Sequence, residues 1–189
     1  MIAHATQNGQ FDGDNPAAWR QFDATLARTK TMVRGHHASI PHDQLPAFVT
    51  VLRVRQDDGV TALAVEWIIL TACRSGEARH AVWGEIDLAR KVWSIPAGRM
   101  KMKRDHSAPI TPRMMEILER ARTLHLTLPG PADLIFPGPK GKALSEMAGI
   151  MLLRGMPGYE SFTVHGFRAS FKGWAATETE FARELIEEQ

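Results

Sequence analysis

A nearly continuous apolar segment at residues 60–73 decides more about this fold than any other part of the sequence. Apolar residues occupy most faces of the helix that such a segment predicts, so we expect that helix to be buried on nearly all sides. Glu66 interrupts the segment, and no window offers the roughly 18 uncharged apolar residues that a membrane span requires. The sequence therefore predicts a central core helix and argues against membrane insertion.

Hydrophobic spacing predicts further helices on both sides of this central one, and a small β-sheet between them. Val92–Ile95 has the composition of a strand, residues 107–110 have that of its partner, and a basic turn at residues 99–104 joins them. Thr111 followed by Pro112 predicts the N-cap and first turn of a helix. The predicted fold class is α+β, mainly helical, with a small antiparallel sheet. The remaining helices are predicted at residues 17–29, at 45–52 with a start signal at 41–43, and at 77–83, 144–154, 166–176 and 179–189.

The composition is that of a globular protein. Hydrophobic residues make up 44% of the chain, a fraction that is ample for a packed core. Charged residues make up 23%, which is typical of globular proteins. The amino-terminal residues lack the basic-then-apolar order of a signal peptide. A single cysteine, Cys73, leaves no internal disulfide to form. We therefore expect a cytoplasmic protein.

Positive charge is concentrated away from the carboxyl end. The net charge is +2, but the last twelve residues hold five glutamates against one arginine. The preceding 177 residues therefore carry 22 basic and 16 acidic side chains, a net charge of +6. Such a moderately basic body favours the approach of a polyanion without identifying it.

Three short segments carry residues suited to chemistry. They are T-A-C-R-S-G-E at residues 71–77, R-M-K-M-K-R at residues 99–104 and T-V-H-G-F-R at residues 163–168. Each also has a simpler interpretation when it is taken alone. An arginine beside Gly-Glu is often a helix cap, a basic turn is often a solvated loop, and a His-x-x-Arg pair on one helix face is often structural.

Taken together, two arginines, a lysine and a histidine describe a binding site for a phosphodiester. Guanidinium groups grip phosphate oxygens in a bidentate way, an ammonium can give a proton to a leaving alkoxide, and an imidazole can hold a third oxygen or accept a proton. Fixed cations meet the charge that develops on phosphorus, so this chemistry requires no cofactor and no metal ion. The sequence agrees, since it has no paired cysteines and no histidines or carboxylates at metal-ligand spacing.

The order of these segments resembles that of a known family. T-A-C-R-S-G-E, a tryptophan-bearing strand, the hairpin R-M-K-M-K-R-D-H, an apolar I-F-P loop and T-V-H-G-F-R-A-S follow one another as in the catalytic domain of tyrosine recombinases, in particular prophage integrases of the P4-like group. The resemblance spans about residues 36–189. It implies DNA integration by site-specific recombination, in which a tyrosine attacks a DNA phosphate. A 3′-phosphotyrosyl link forms, and a 5′-hydroxyl of the partner strand reverses it.

The resemblance also implies roles for individual residues. Arg74 matches the first phosphate-clamping arginine, and Lys101 matches the hairpin lysine that protonates the departing 5′-oxygen. His165 and Arg168 match the His-x-x-Arg pair of the family. Glu77 matches an acidic residue that supports the first arginine without touching DNA.

Three further residues near the hairpin turn are expected to contact DNA: Lys103, Arg104 and His106. Lys103 and Arg104 share one turn with Lys101, so each remains an alternative to it as the proton donor. The family order favours Lys101.

The chain departs from the family pattern near its carboxyl end. Family members continue past the last helix into a Leu-Ala-His motif and the nucleophilic tyrosine, and neither occurs in this sequence. Its single tyrosine, Tyr159, precedes the His-x-x-Arg pair and so lies on the wrong side of the motif. We expect residues 1–40 to be a linker or the tail of a missing core-binding domain, and residues 41–189 to be the catalytic domain without its C-terminal end. Such a fragment would be inactive alone.

The implied partner is double-stranded DNA, on which the full-length protein would act as a homo-oligomer, with no membrane and no cofactor involved. Two other interpretations stay open from the sequence. The chain could be a non-catalytic DNA-binding remnant of an integrase, which would bind DNA without cleaving it. It could instead be an interaction domain unrelated to DNA, in which case Arg74, Lys101 and Arg168 should not lie together.

Overall fold

The computed structural model describes residues 38–100 and 103–180, apart from the side chain of Asp58. All of them belong to one compact unit of the chain, His37–Gln189. The described helices are α1 (Leu45–Val54), α2 (Val60–Thr71), α3 (Ser75–Arg79), α4 (Pro112–Thr123), α5 (Ala148–Arg154) and α6 (Gly166–Glu178). The described strands are β1 (Ile86–Asp87), β2 (Val92–Ile95) and β3 (His106–Pro109).

Helix α2 is the central element that the apolar segment predicts. It contacts each of the other five described helices. Its residues 62–68 are all buried, and Trp67 is wholly enclosed, with its ring against those of Trp93 and Phe136 at centroid distances of 5.4 and 5.8 Å. Within the described part of the chain, no helix is long and apolar enough to cross a membrane.

The charge that interrupts α2 is neutralised inside the protein. Glu66 is completely buried and accepts hydrogen bonds from Arg113 at 2.7 and 2.8 Å, from Arg53 at 2.9 Å and from Gln56. Burial alone would raise the pKa of the Glu66 carboxyl, but these donors outweigh it and the pKa lies below its ordinary value. The network joins α1, α2 and α4 through one carboxylate.

The sheet is antiparallel with the strand order β1-β2-β3. Strands β2 and β3 form the predicted hairpin, with Trp93 opposite Ala108 and Ile95 opposite His106. Strand β1 is not predicted from the sequence, because two residues are too few to show the alternation that identifies a strand. The sheet packs Trp93 into the core, where it is fully buried.

Helix boundaries follow the local signals where those exist. Thr111 caps α4 as predicted, its hydroxyl accepting a hydrogen bond from the backbone N–H of Met114 at 3.3 Å, and Pro112 is the first helical residue. The predicted start of α5 at Leu144 is wrong, since the helix begins at Ala148. Leu144 is instead buried in a loop, where its carbonyl accepts a hydrogen bond from Arg79 at 2.6 Å.

The short helix α3 begins two residues before its predicted start and ends at Arg79 rather than at residue 83. Helix α6 runs two residues beyond its predicted end. Thr179, where a last helix is predicted, has extended backbone. The predicted helix at residues 17–29 and residues 181–189 of the last one lie outside the described residues.

Candidate phosphodiester site

Arg74 lies at the sharp junction between α2 and α3. Helix α2 ends at Thr71, and the left-handed backbone of the C-cap residue Ala72 (φ 51°, ψ 19°) turns the chain so that Arg74 occupies the N-cap of α3. Glu77 then holds Arg74 at both ends: its carboxylate accepts from the backbone N–H of Arg74 at 2.7 Å and from Nη1 of the guanidinium at 2.8 Å. The Glu77 carboxylate is buried while the Arg74 side chain is one-third exposed, an arrangement that presents the guanidinium at the surface from a buried support.

Arg168 reaches the same junction from a distant part of the sequence. It lies in the first turn of α6, and its Nη1 donates to the carbonyl oxygen of Ala72, two residues before Arg74. Burial lowers the pKa of the Arg168 guanidinium, and the positive charge of Arg74 lowers it further. The charges of two arginines 94 positions apart in the sequence therefore interact at this junction.

His165 precedes the first turn of α6 at the N-cap position, and its side chain is exposed. His165 and Arg168 are three positions apart, and residues with this spacing lie on the same side of a helix. His165 and Ser75, the first residue of α3, line the same cavity of about 330 Å³. Of the predicted catalytic residues, Arg74 and Arg168 therefore lie together at the α2–α3 junction, and His165 lines a cavity that the start of α3 also lines.

Gly166 lets the amino end of the domain cross the start of α6. A Cβ atom at this position would overlap the carbonyl oxygen of Ala38 and lie 2.9 Å from the Cα atom of Ser39. The same segment is held by hydrogen bonds from the Thr163 backbone N–H to Ala38 at 3.2 Å and from the Ser170 hydroxyl to the carbonyl of Ile40. Close packing against residues 38–40 therefore explains why a glycine lies between His165 and Arg168.

The basic turn is only partly described. Lys101 lies outside the described residues, so its predicted place beside the arginines stays a prediction. Lys103, with a left-handed backbone (φ 51°), and Arg104 are exposed, and His106 is half-buried in β3. Asp105 closes the base of the hairpin by accepting from the Ala97 backbone N–H at 2.7 Å.

Cys73 is adjacent to Arg74 but is not a reactive group. Burial raises the pKa of its thiol to about 12, so the thiolate is scarce at neutral pH. Among residues 38–100 and 103–180, no group of three or more His, Cys, Asp or Glu side chains is arranged to hold a metal ion.

Comparison with known proteins identifies the family of this chain. Residues 38–178 match the model of the phage integrase family. The chain belongs to that family. It is 31% identical over 206 aligned residues to the integrase of Enterobacteria phage P4, covering 100% of this chain and 44% of that protein. It is 35% identical to the prophage integrase IntA of Escherichia coli K12, covering 79% of this chain and 35% of the relative.

The chain thus spans less than half the length of these two integrases. A crystal structure of a lambda integrase dimer bound to a COC′ core site has a similar fold, with a TM-score of 0.60 over 99% of this chain and 66% of that one. Sequence identity to it is 16%. These findings confirm the predicted family and fold class.

Within this integrase-family domain, Tyr159 packs against other aromatic side chains. Its ring meets that of Phe48 edge-on at a centroid distance of 4.9 Å and also approaches Phe162. Phe48 is fully buried and in turn contacts Phe167. Tyr159 thus closes an aromatic cluster between α1 and α6, as expected of a structural residue.

Two residues of the domain escape analysis of the sequence alone. In the sequence, Arg99 is only one of several basic residues in the turn at residues 99–104, and Glu85 has no assigned role. In the structure Arg99 donates to the Glu85 carboxylate and to the backbone carbonyl of Glu77, the residue that holds Arg74. No local pattern reveals such contacts, because 14 and 22 positions separate the partners.

Proposed function

We propose that this chain supplies the phosphodiester-binding part of the catalytic domain of a site-specific DNA recombinase. The protein that contains it would integrate phage or prophage DNA by cleaving and rejoining strands, acting as a homo-oligomer on double-stranded DNA. The observation that carries the proposal is the contact of Arg168 with the carbonyl of Ala72, two residues before Arg74, which brings the charges of the two arginines within reach of each other. Support also comes from the lambda integrase structure, which is described as bound to a core site.

The proposed chemistry assigns one task to each group. Arg74 and Arg168 bind the non-bridging oxygens of the scissile phosphate and stabilise the negative charge of its pentavalent transition state. A tyrosine other than Tyr159 attacks phosphorus, and the bond to the 5′-oxygen breaks as a 3′-phosphotyrosyl link forms. Lys101 gives a proton to the departing 5′-oxygen, and His165 holds an oxygen or accepts the proton of the nucleophile.

The remaining roles follow from the same scheme. Glu77 orients Arg74 through its two hydrogen bonds and does not touch the phosphate. Lys103, Arg104 and His106 contact the DNA backbone beside the site. No metal ion and no cofactor enter, and the protein works in the cytoplasm.

The first test is DNA binding by the 189-residue chain. It should bind duplex oligonucleotides weakly and with little sequence preference, because phosphate contacts supply affinity and base readout resides largely elsewhere. Fluorescence anisotropy should show affinity falling with salt, with a log-log slope of about 0.9 for each phosphate neutralised. Affinity that does not change between low and moderate salt would contradict the proposal.

A matched pair of substitutions assigns that binding to the site. Arg74→Ala should lower affinity about tenfold, as expected for one charge-assisted contact to phosphate. Arg90→Ala removes the same charge from an exposed position in the turn between β1 and β2 and should have a smaller effect. Equal losses from both would mean that DNA is bound by diffuse charge rather than at the candidate site.

A non-catalytic DNA-binding remnant is the second candidate function, and one observation favours it. The only tyrosine in this sequence is engaged in the aromatic cluster with Phe48. This candidate predicts the same binding and the same Arg74 dependence. It differs in predicting no strand cleavage even when a nucleophilic tyrosine segment of a related integrase is supplied.

A further inference from the structure

Arg99 occupies a junction of three parts of the fold. It ends the short 3-10 turn Ala97–Arg99 that follows β2, at the base of the basic hairpin. Its Nη1 donates to the carboxylate of Glu85 in the turn before β1, and its Nη2 donates to the backbone carbonyl of Glu77 in α3. The guanidinium therefore bridges the turn before β1 and the helix that supports Arg74.

Glu85 is built to receive this arginine. Its side chain is only 9% exposed, and that of Arg99 is 23% exposed. The second carboxylate oxygen of Glu85 accepts from the indole N–H of Trp93 at 3.0 Å, and Trp93 is itself wholly buried. Glu85 is thereby fixed from the core side, so it holds the Arg99 guanidinium in one orientation.

The Glu77 residue links Arg99 to Arg74. Its carbonyl accepts from Arg99, and its carboxylate holds Arg74 through hydrogen bonds of 2.7 and 2.8 Å. Helix α3 has only five residues, too few to be stable by itself, so outside contacts must set its direction. Arg99 provides such a contact at the residue that orients the arginine.

We propose that Arg99, held by Glu85, is a positioning residue that sets the orientation of Arg74 by fixing Glu77 from behind. It acts through Glu77 and makes no contact with the phosphate. The inference rests on the proposed function of Arg74 as a phosphate ligand. Charge-assisted hydrogen bonds such as those of Arg99 are short and directional, which suits them to holding another group in place.

A double-mutant cycle on the 189-residue chain tests this coupling. Affinity for a duplex oligonucleotide is measured at one salt concentration for Arg99→Ala, Arg74→Ala and the double variant. Arg99→Ala should weaken binding about fivefold in the native background, a fraction of the loss expected for one charged contact, and by less than twofold when Arg74 is already alanine. The control Arg90→Ala, which removes an exposed charge, should have the same effect in both backgrounds.

Glu85→Gln gives a test in which charge and position predict opposite signs. Removal of a negative charge should strengthen non-specific binding to DNA if only electrostatics matters. The positioning role predicts weaker binding, because the amide retains a single acceptor oxygen for the two donors of Trp93 and Arg99. Stronger binding by Glu85→Gln would overturn the proposal, as would an Arg99→Ala effect that is equal in the two backgrounds.

Hydrogen exchange in the free chain supplies a readout that does not depend on DNA. The amides of Glu77 and Ala78, which donate to the Arg74 carbonyl at 2.9 and 3.2 Å, should exchange faster in Arg99→Ala than in Arg90→Ala. Unchanged exchange would also overturn the proposal. Failure of the proposed function would look different. In that case DNA binding by the unmodified chain would not depend on salt, or Arg74→Ala would bind DNA as tightly as the unmodified chain.

Discussion

At the residue scale, the charge on Glu66 shows how a polar group can occupy the centre of this core. A carboxylate with no exposed surface is strongly disfavoured unless it is paired and hydrogen-bonded. Arg53, Gln56 and Arg113 provide these partners from elements on either side of α2. The residue that breaks the apolar segment thereby becomes a cross-link between helices.

Replacing Arg113 should expose how much this pairing contributes. Arg113→Ala leaves Glu66 buried with fewer donors, and we expect the free energy of unfolding to fall by about 3 kcal/mol. The control on the same helix is Arg120→Ala, whose partner Asp57 is 80% exposed, and its effect should stay below about 1 kcal/mol. Urea denaturation measures both. Similar losses from the two variants would show that Arg113 contributes no more than a surface ion pair.

Buried partners also hold charged side chains in the candidate site, at Arg74 and Arg99. Each guanidinium is oriented by acceptors that lie deeper than itself, so the exposed charge is held by buried partners. Arginine suits this use because its planar group offers several donors in fixed directions. The sequence motif identifies Arg74 and Glu77 as site residues, whereas the role of Arg99 is visible only from its contacts in the structure.

At the element scale, the start of α6 is where packing and the candidate site coincide. The chain segment at residues 38–40 crosses this helix at Gly166, between the two residues of the His-x-x-Arg pair. Any shift of the helix start would move His165 and Arg168 together. The position of the pair therefore depends on how closely this segment can approach the helix.

Gly166→Ala and Gly173→Ala should have opposite effects although both lie in α6. A methyl group at Gly166 would overlap backbone atoms of Ala38 and Ser39, so stability should fall by about 2 kcal/mol or more and DNA affinity should fall with it. Gly173 has open space around it, and alanine there should stabilise the helix by up to about 1 kcal/mol. Thermal unfolding and anisotropy report both quantities. A stable, fully binding Gly166→Ala variant would show that the crossing segment can move aside.

At the scale of the whole molecule, the candidate cationic site lies apart from the aromatic cluster to which the single tyrosine of this sequence, Tyr159, belongs. Catalysis of strand cleavage needs a nucleophile in line with the phosphate, and fixed charges cannot replace it. In the proposed reaction, charge stabilisation and nucleophilic attack would therefore be carried by different parts of the protein.

The 189-residue chain should form no covalent adduct with DNA, even on a nicked substrate that traps the intermediate. A denaturing gel measures this, and Tyr159→Phe is the control. Supplying a segment with Leu-Ala-His and a tyrosine, together with DNA-binding domains, should restore the adduct. In that protein Arg74→Ala should slow cleavage on the order of 10²-fold. A gel-stable adduct of the chain alone that Tyr159→Phe abolishes would make Tyr159 the nucleophile.

The sequence by itself determined the features that depend on neighbouring residues. The apolar segment predicts α2, Thr111 and Pro112 predict the start of α4, and strand composition around a basic turn predicts the β2–β3 hairpin. All three are confirmed, because helix periodicity, caps and hairpins involve residues within a few positions of one another. The order of the motifs likewise indicated the family that the comparisons confirm.

Only the tertiary structure decided which distant groups meet. Arg168 reaches Ala72 across 96 positions, Arg113 reaches Glu66 across 47, and Arg99 reaches Glu77 across 22. The start of α5 was decided in the same way, since burial of Leu144 and its bond from Arg79 overrode a helical pattern. Such pairings depend on the path of the whole chain around α2, and no short window of sequence contains that information.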